Sequence, residues 1–367
     1  MSEQLFDLTL TDEQYMTRDS VQRFALAEMT SLARDADEAG ATPEGFLDKT
    51  MELGLSLMPI PEALGGAGVA RSPVSNVLNA EDLARGDLPM ALGSLSPLAV
   101  ANTLIDQGSE AQQEKYLPLF CGESFYPATI AFMEPRALFD ATELTTTATR
   151  DGDGFVINGK KTMVPLGIDS QLVLVIAELE GEGPAAFIVD GEHNGLSRSE
   201  EEHMGLRTLQ VASLDFDNVK LGSDALLGDA GFDLQRFVDL SRLGICALAV
   251  GTCQAVLDYV KEYCNERVAF GEPITNRQSV AFMIADIAIE LEAMRLMTWR
   301  AASAAERGED FHELTYMAKE FCGEYAMQIG TNGVQLLGGH GFCREHPVEM
   351  WYRNLRAIAI LEGAVSL

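Results

Sequence analysis

Two segments, ERVAFGEPITNRQSVAFMIAD at 266–286 and VQLLGGHGFCREHPVEMWYRNLRAIAILEG at 334–363, decide how this chain is read. Each joins a helical pattern to a turn that a plain amphipathic helix does not carry. Around them, LQRFVDLSRLGICALAVGTCQAVLDYVKEYCNERVAF, SVAFMIADIAIELEAMRLMTWRAASAAERG and FHELTYMAKEFCGEYAMQIGTNGVQLL place apolar residues every three or four positions. Long helices with broad apolar faces predict an antiparallel bundle over 227–367. Arg267 closes the first of these helices and Gly338-Gly339 closes the third. An arginine offers a planar fork of donors, and paired glycines let a ligand approach the backbone. The plainer reading is that the glycines end a helix and Arg267 caps one.

Upstream the character changes twice. From Thr11 to about Phe120 the pattern is again helical, interrupted by the small-residue loop PEALGGAGVARSP, which predicts an N-terminal helical domain over 1–122. Between 123 and 226 the segments TELTTTATRDGDGFVINGKKTMV, QLVLVIAEL, AAFIVDG and VASLDFDNVKL are short, β-branched and punctuated by Gly and Asp, which predicts a middle β domain. Helices, then strands, then a four-helix bundle make an α+β multidomain chain instead of an alternating α/β sheet. No G-x-G-x-x-G follows a strand, so a Rossmann dinucleotide site is not expected.

Composition bounds the function. Over 367 residues, 56 acidic against 26 basic side chains give a net charge of −30, which disfavours nucleic acid and anionic membranes as partners. Any anionic ligand therefore needs a local basic pocket. No apolar run approaches a membrane span, and MSEQLFDLTLTDEQ resembles neither a secretory nor a transit signal, so the cytosol is the default location. Six isolated cysteines and five scattered histidines form no metal-ligand spacing, and no metal site is expected.

With these motifs on the page, the whole chain resembles the acyl-CoA dehydrogenase family. PEALGGAG, EDLARGD and GSEAQQEKYLPLF are weak landmarks of its N-terminal domain; R-x-x-F-G-x-P at Arg267 and Q-x-x-G-G at Gln335 are strong ones. The resemblance implies a soluble oligomeric flavoenzyme, a homotetramer or a heterotetramer with a homologous subunit, that dehydrogenates an acyl-CoA thioester. It implies FAD as cofactor and an electron-transfer flavoprotein as acceptor. It assigns Arg267, Phe270, Gln278, Gln335, Gly338 and Gly339 to the ADP half of an FAD held across a subunit interface. It assigns Glu362, in ILEG, to the base that removes the α-proton, opposite donors that in relatives are a backbone N–H and a ribityl hydroxyl. Some relatives carry that base on the first helix of the bundle, where this chain has Ser241. Asp239 and Arg242, three apart on that helix, match a pair lying by the acyl-CoA; the plainer reading is a surface ion pair.

The chain departs from the family where its own flavin ring would lie. MEPRALFD at 133–140 stands for T-E-P-x-A-G-S-D, so Met133 replaces a hydroxyl and Arg136, Leu138 and Phe139 replace small residues. Met163-Val164-Pro165 stands for W-I-T, and after Gly363 the sequence reads AVSL where the family has T-S-E-I-Q-R. Three readings follow: an enzyme with Glu362 as base; a partner subunit that completes another chain's FAD site; and a scaffold without redox activity.

Overall fold

The computed structural model describes residues 9–228 and 231–367. The stretch 1–8, which bears on targeting, lies outside the described residues. Helix α1 (Asp12–Phe24) starts at a capping box, Thr11 and Gln14 satisfying each other's backbone N–H groups, and runs through a π-helical turn into α2 (Thr30–Ala39). Then come α3 (Phe46–Thr50), α4 (Pro73–Gly86), α5 (Leu88–Gln107) and α6 (Glu110–Tyr116). Asp87 caps α5 by accepting the Met90 N–H, and burial pushes its carboxyl up to about 7.

Seven strands follow: β1 (Ala128–Ala131), β2 (Thr147–Asp151), β3 (Gly154–Val164), β4 (Leu172–Leu179), β5 (Gly183–Asp190), β6 (Leu196–Glu200) and β7 (Ala212–Leu221). The sheet runs β1-β4-β2-β3-β7-β6 with β5 also on β4, and β1 and β2 lie parallel to β4 while the other pairs are antiparallel. β4 is buried along nearly its whole length, which explains why QLVLVIAEL lacks the alternation of a half-solvated strand.

The C-terminal region holds α7 (Leu234–Glu266), the two-residue strands β8 (Val268–Ala269) and β9 (Glu272–Pro273), α8 (Gln278–Glu306), α9 (His312–Leu337) and α10 (Val348–Leu355). Three long helices and one short one make up the bundle. α7 and α9 run in the same direction, since Asp239 meets His312 at one end and Cys264 meets Leu336 at the other, while α8 runs back between them with Arg295 on Gln254.

Contrary to the sequence expectation, α5 and α7 are long and apolar enough to cross a membrane, with mean hydropathy 1.4 and 1.6. Yet 89% and 78% of these windows are buried inside the protein, so both are core helices. The helical regions share one core, and buried ion pairs join their distant parts. Arg353 on α10 makes a two-pronged contact with the buried Asp37 on α2 (2.9 and 2.6 Å), and Glu81 on α4 gathers Arg295 (2.8 Å) and Trp299 (3.1 Å) from α8. Residues 364–367 are buried beside α5 and α7; Asn102 donates to the Ser366 carbonyl at 3.2 Å and Arg71 to that of Leu367 at 2.7 Å. Gly244 must be glycine there, because a Cβ would lie 2.8 Å from Val365 Cγ1.

Candidate active site and nucleotide clamp

Glu362 follows the turn at 356–360 after α10, and its carboxylate lies between α7 and α9. Arg242 Nε lies 3.2 and 3.0 Å from the two carboxylate oxygens, and Lys319 Nζ lies 3.5 Å from Oε1. Lys319 is 6% exposed and Glu362 is its sole side-chain partner among the described residues. Asp239, 2% exposed, faces His312 Nδ1 at 3.1 Å and accepts from Gln235 Nε2 at 3.1 Å. Asp239 and Arg242 are therefore not a surface ion pair: each serves a different neighbour. Ser241, at the alternative base position, is fully buried with its hydroxyl unpaired.

A cavity of about 750 Å³ adjoins this cluster, lined among others by Phe139, Gln235, Val238, Arg242, His312 and Tyr316. Its walls combine apolar surface with a few converging polar groups, the usual make-up of a small-molecule site.

The other side of Glu362 is closed. Its backbone N–H points to Met133 Sδ at 3.3 Å, and Met133 is 7% exposed. Phe132 packs so close to Gly363 that a Cβ there would lie 2.3 Å from its Cδ1, and its ring meets Phe139 and Phe237 edge-on at 5.3 and 5.5 Å. Pro165 is buried, and its carbonyl is taken by the Thr129 hydroxyl at 2.6 Å. Ala364, 3% exposed, adds no donor. Nearby, Glu201 accepts from Thr162, the Met163 N–H, His203 and Ser213; burial pushes its carboxyl up, and these donors more than offset that and hold it at about 2.

The clamp residues gather at the opposite end of the bundle. Tyr263 and Cys264 of α7 touch His340 and Leu336, so the C-terminal ends of α7 and α9 adjoin, and the β8-β9 turn leads from α7 into α8. Arg267 is the C-cap of α7 and Gly338 that of α9, as the plainer reading holds for the backbone. The side chains do something else. Arg267, Gln278 and Gln335 are exposed and have no hydrogen-bond partner among the described residues, and Phe270 is 96% exposed at φ 57° beneath the Arg277 guanidinium, 5.0 Å away. Arg267 and Arg277 put two positive charges on the segment between α7 and α8. Gly338, at φ 58° and ψ −130°, needs glycine for its backbone. Gly339 does not: its φ is ordinary and a Cβ would meet nothing within 4 Å. No metal-ligating cluster occurs among the described residues.

The sequence reading missed Lys319 and His312. A signal for Lys319 existed: it falls on the same α9 face as the buried Thr315, Cys322 and Ala326, and a lysine on such a face needs an anionic partner. His312, at a helix start, carried no such signal.

Comparison with known proteins follows the same three regions. Family models described as the N-terminal, middle and C-terminal domains of acyl-CoA dehydrogenase match residues 11–123, 129–219 and 230–365. The chain is 34% identical to a caffeyl-CoA reductase-Etf complex subunit of Acetobacterium woodii, over 96% of this chain and 95% of that one. It is 32% identical to the mitochondrial short-chain specific acyl-CoA dehydrogenase of Rattus norvegicus, over 98% and 88%. Its fold superposes on butyryl-CoA dehydrogenase from Megasphaera elsdenii with a TM-score of 0.89 and 29% identity, covering 97% and 95%.

Proposed function

The chain belongs to the acyl-CoA dehydrogenase family, FAD-dependent oxidoreductases of acyl-CoA thioesters, and on that premise we propose that it works as one subunit of an oligomer with Glu362 as its α-proton base. The observation that carries this reading is the Arg242–Glu362–Lys319 cluster beside the Phe139–His312 cavity. Arg242 and Lys319 donate to the carboxylate and hold it in one orientation, and a base that takes a proton from carbon must be released from part of that hold. Arg242 lines the cavity proposed for the acyl-CoA, and Asp239 lies behind its wall and holds His312 there. FAD, when bound, supplies the acceptor for the β-hydrogen; the caffeyl-CoA reductase relative is named for an Etf complex, and an electron-transfer flavoprotein is the proposed partner here also.

The residues fit the two halves of FAD unequally. Arg267, Phe270, Gln278 and Gln335 present unpaired donors and an open ring, and Gly339 has free space that nothing in this chain requires. These features suit the ADP half of a cofactor reaching across from a neighbour. An exposed apolar stripe on α8, with Phe282 62%, Ile289 68% and Leu296 38% exposed at seven-residue spacing, supports an oligomer, homomeric or heteromeric. Gly339→Ala is the sharpest test of the clamp: stability stays within about 0.5 kcal/mol, while FAD affinity falls about ten-fold as the methyl meets the nucleotide. Equal loss of both, read by thermal denaturation and flavin fluorescence, would assign Gly339 to the fold instead.

The ring half fits poorly, because Met133, Pro165 and Ala364 carry no hydroxyl and Pro165 has no backbone N–H. That observation favours a second reading, in which this chain completes the FAD site of a homologous partner and its own ring site is closed. Absorbance at the flavin band, per chain, separates the two in protein purified alone and with a co-expressed homologue. One FAD per chain sinks the second reading; none alone and one per unlike pair sinks the first as a self-sufficient enzyme.

A further inference from the structure

We propose that Met133 is a displaceable stopper that occupies the position a thioester carbonyl oxygen would take on the Glu362 backbone N–H; this rests on the reading of Glu362 as the base. The N–H of Glu362 ends on a thioether sulfur at 3.3 Å. A thioether is a weak acceptor, so this donor is nearly unmatched in a setting where buried N–H groups otherwise find oxygen. A carbonyl oxygen at the same place would be a much better partner for the N–H.

The backbone of the stopper is held, while its side chain is of a kind that can adapt. The Met133 carbonyl accepts the Thr162 N–H at 2.9 Å, which fixes its backbone beside β3. Its side chain is unbranched and adapts to the space offered. Phe132 cannot take its place, being fixed between Phe139, Phe237 and the Cα of Gly363. Gly363 in turn must lack a side chain, at φ 69°, for Phe132 to fit. The same sulfur therefore covers the Glu362 N–H when no ligand is bound and yields to a ligand with a strong acceptor.

The test compares wild type, Met133→Ala and Met133→Leu in the oligomer as purified, using an acyl-CoA that lacks abstractable α-hydrogens and isothermal titration as the readout. Met133→Ala removes the stopper and strengthens binding about ten-fold or more, the worth of one released hydrogen bond. Met133→Leu keeps the bulk without the yielding thioether and binds no better than wild type. Equal affinity of Met133→Ala and wild type overturns the proposal, as does tightening by Met133→Leu to the level of Met133→Ala. Unfolding temperatures confirm that each variant is folded. Flavin content on the same samples reports separately on the parent reading: absence of FAD from every oligomer sinks the dehydrogenase assignment of this cleft, while the affinities alone decide the stopper.

Discussion

Glu362→Gln lowers the rate of acyl-CoA dehydrogenation by about 10²–10⁴, the usual weight of a positioned general base, while flavin content and fold are retained. The glutamine amide keeps an oxygen that can accept from Arg242 Nε, now at 3.0 to 3.2 Å from the carboxylate oxygens, so the cluster stays assembled although its base is gone. Removal of the side chain altogether would be a poorer probe, because Arg242 and Lys319 would face each other with no counter-charge. Rapid mixing with acyl-CoA and observation of flavin bleaching gives the rate. If the variant bleaches as fast as wild type in an oligomer with a homologous partner, the proton is taken by a residue of that partner, and the second reading holds. If it fails to bleach while still binding acyl-CoA, the first reading holds and Glu362 is the base.

How far the sequence reached can be argued residue by residue. Helical periodicity and β-branched clusters placed the three regions because each element buries a face against its own neighbours, and that pattern is local. The sequence reading saw no run approaching a span, yet α5 is long and apolar enough for one: a helix packed on every side has no polar face, and only tertiary packing tells it from a span. Glu362, Arg267, Gln335 and Gly338 were legible through motifs. What joins them was not. Lys319 reaches Glu362 across 43 positions, Asp37 meets Arg353 across 316, and Met133 touches the Glu362 N–H across 229. Substitution of Met133 for a hydroxyl looked like the loss of a flavin contact; the structure adds that the methionine has its own partner on the base residue. The free side chains of the clamp are the reverse case, since their meaning lies in what the chain leaves unpaired.

Lys161→Met destabilises the fold by about 3–5 kcal/mol, the cost of stranding one partner of a buried ion pair. Lys161 and Glu134 are 0% and 2% exposed, with Nζ 2.9 Å from Oε1 and 2.9 Å from the Phe132 carbonyl. Glu134 also accepts the Thr145 N–H at 2.7 Å, the Thr145 hydroxyl at 2.6 Å and the Thr146 N–H at 2.8 Å, which fixes the turn between Met133 and β2. Burial pushes the Glu134 carboxyl up, but the Lys161 ammonium and these donors more than offset burial and hold it at about 2, below its ordinary 4.5. A folded value below the unfolded one means that Glu134 contributes stability above about pH 4.5, and that this contribution is lost as pH falls toward 2. Without the ammonium the carboxyl titrates at higher pH, so acid unfolding of Lys161→Met begins earlier than in wild type. The double variant Glu134→Gln with Lys161→Met removes the stranded charge, retains an acceptor for the Thr146 N–H, and recovers more than half of the loss. Urea denaturation at neutral pH and an acid titration by circular dichroism measure both effects. A single-variant loss under about 1 kcal/mol would mean that water reaches Glu134 and that the pair does not hold the Met133 segment in place. Because Met133 directly precedes Glu134, a confirmed loss ties the geometry at the Glu362 N–H to a buried charge pair.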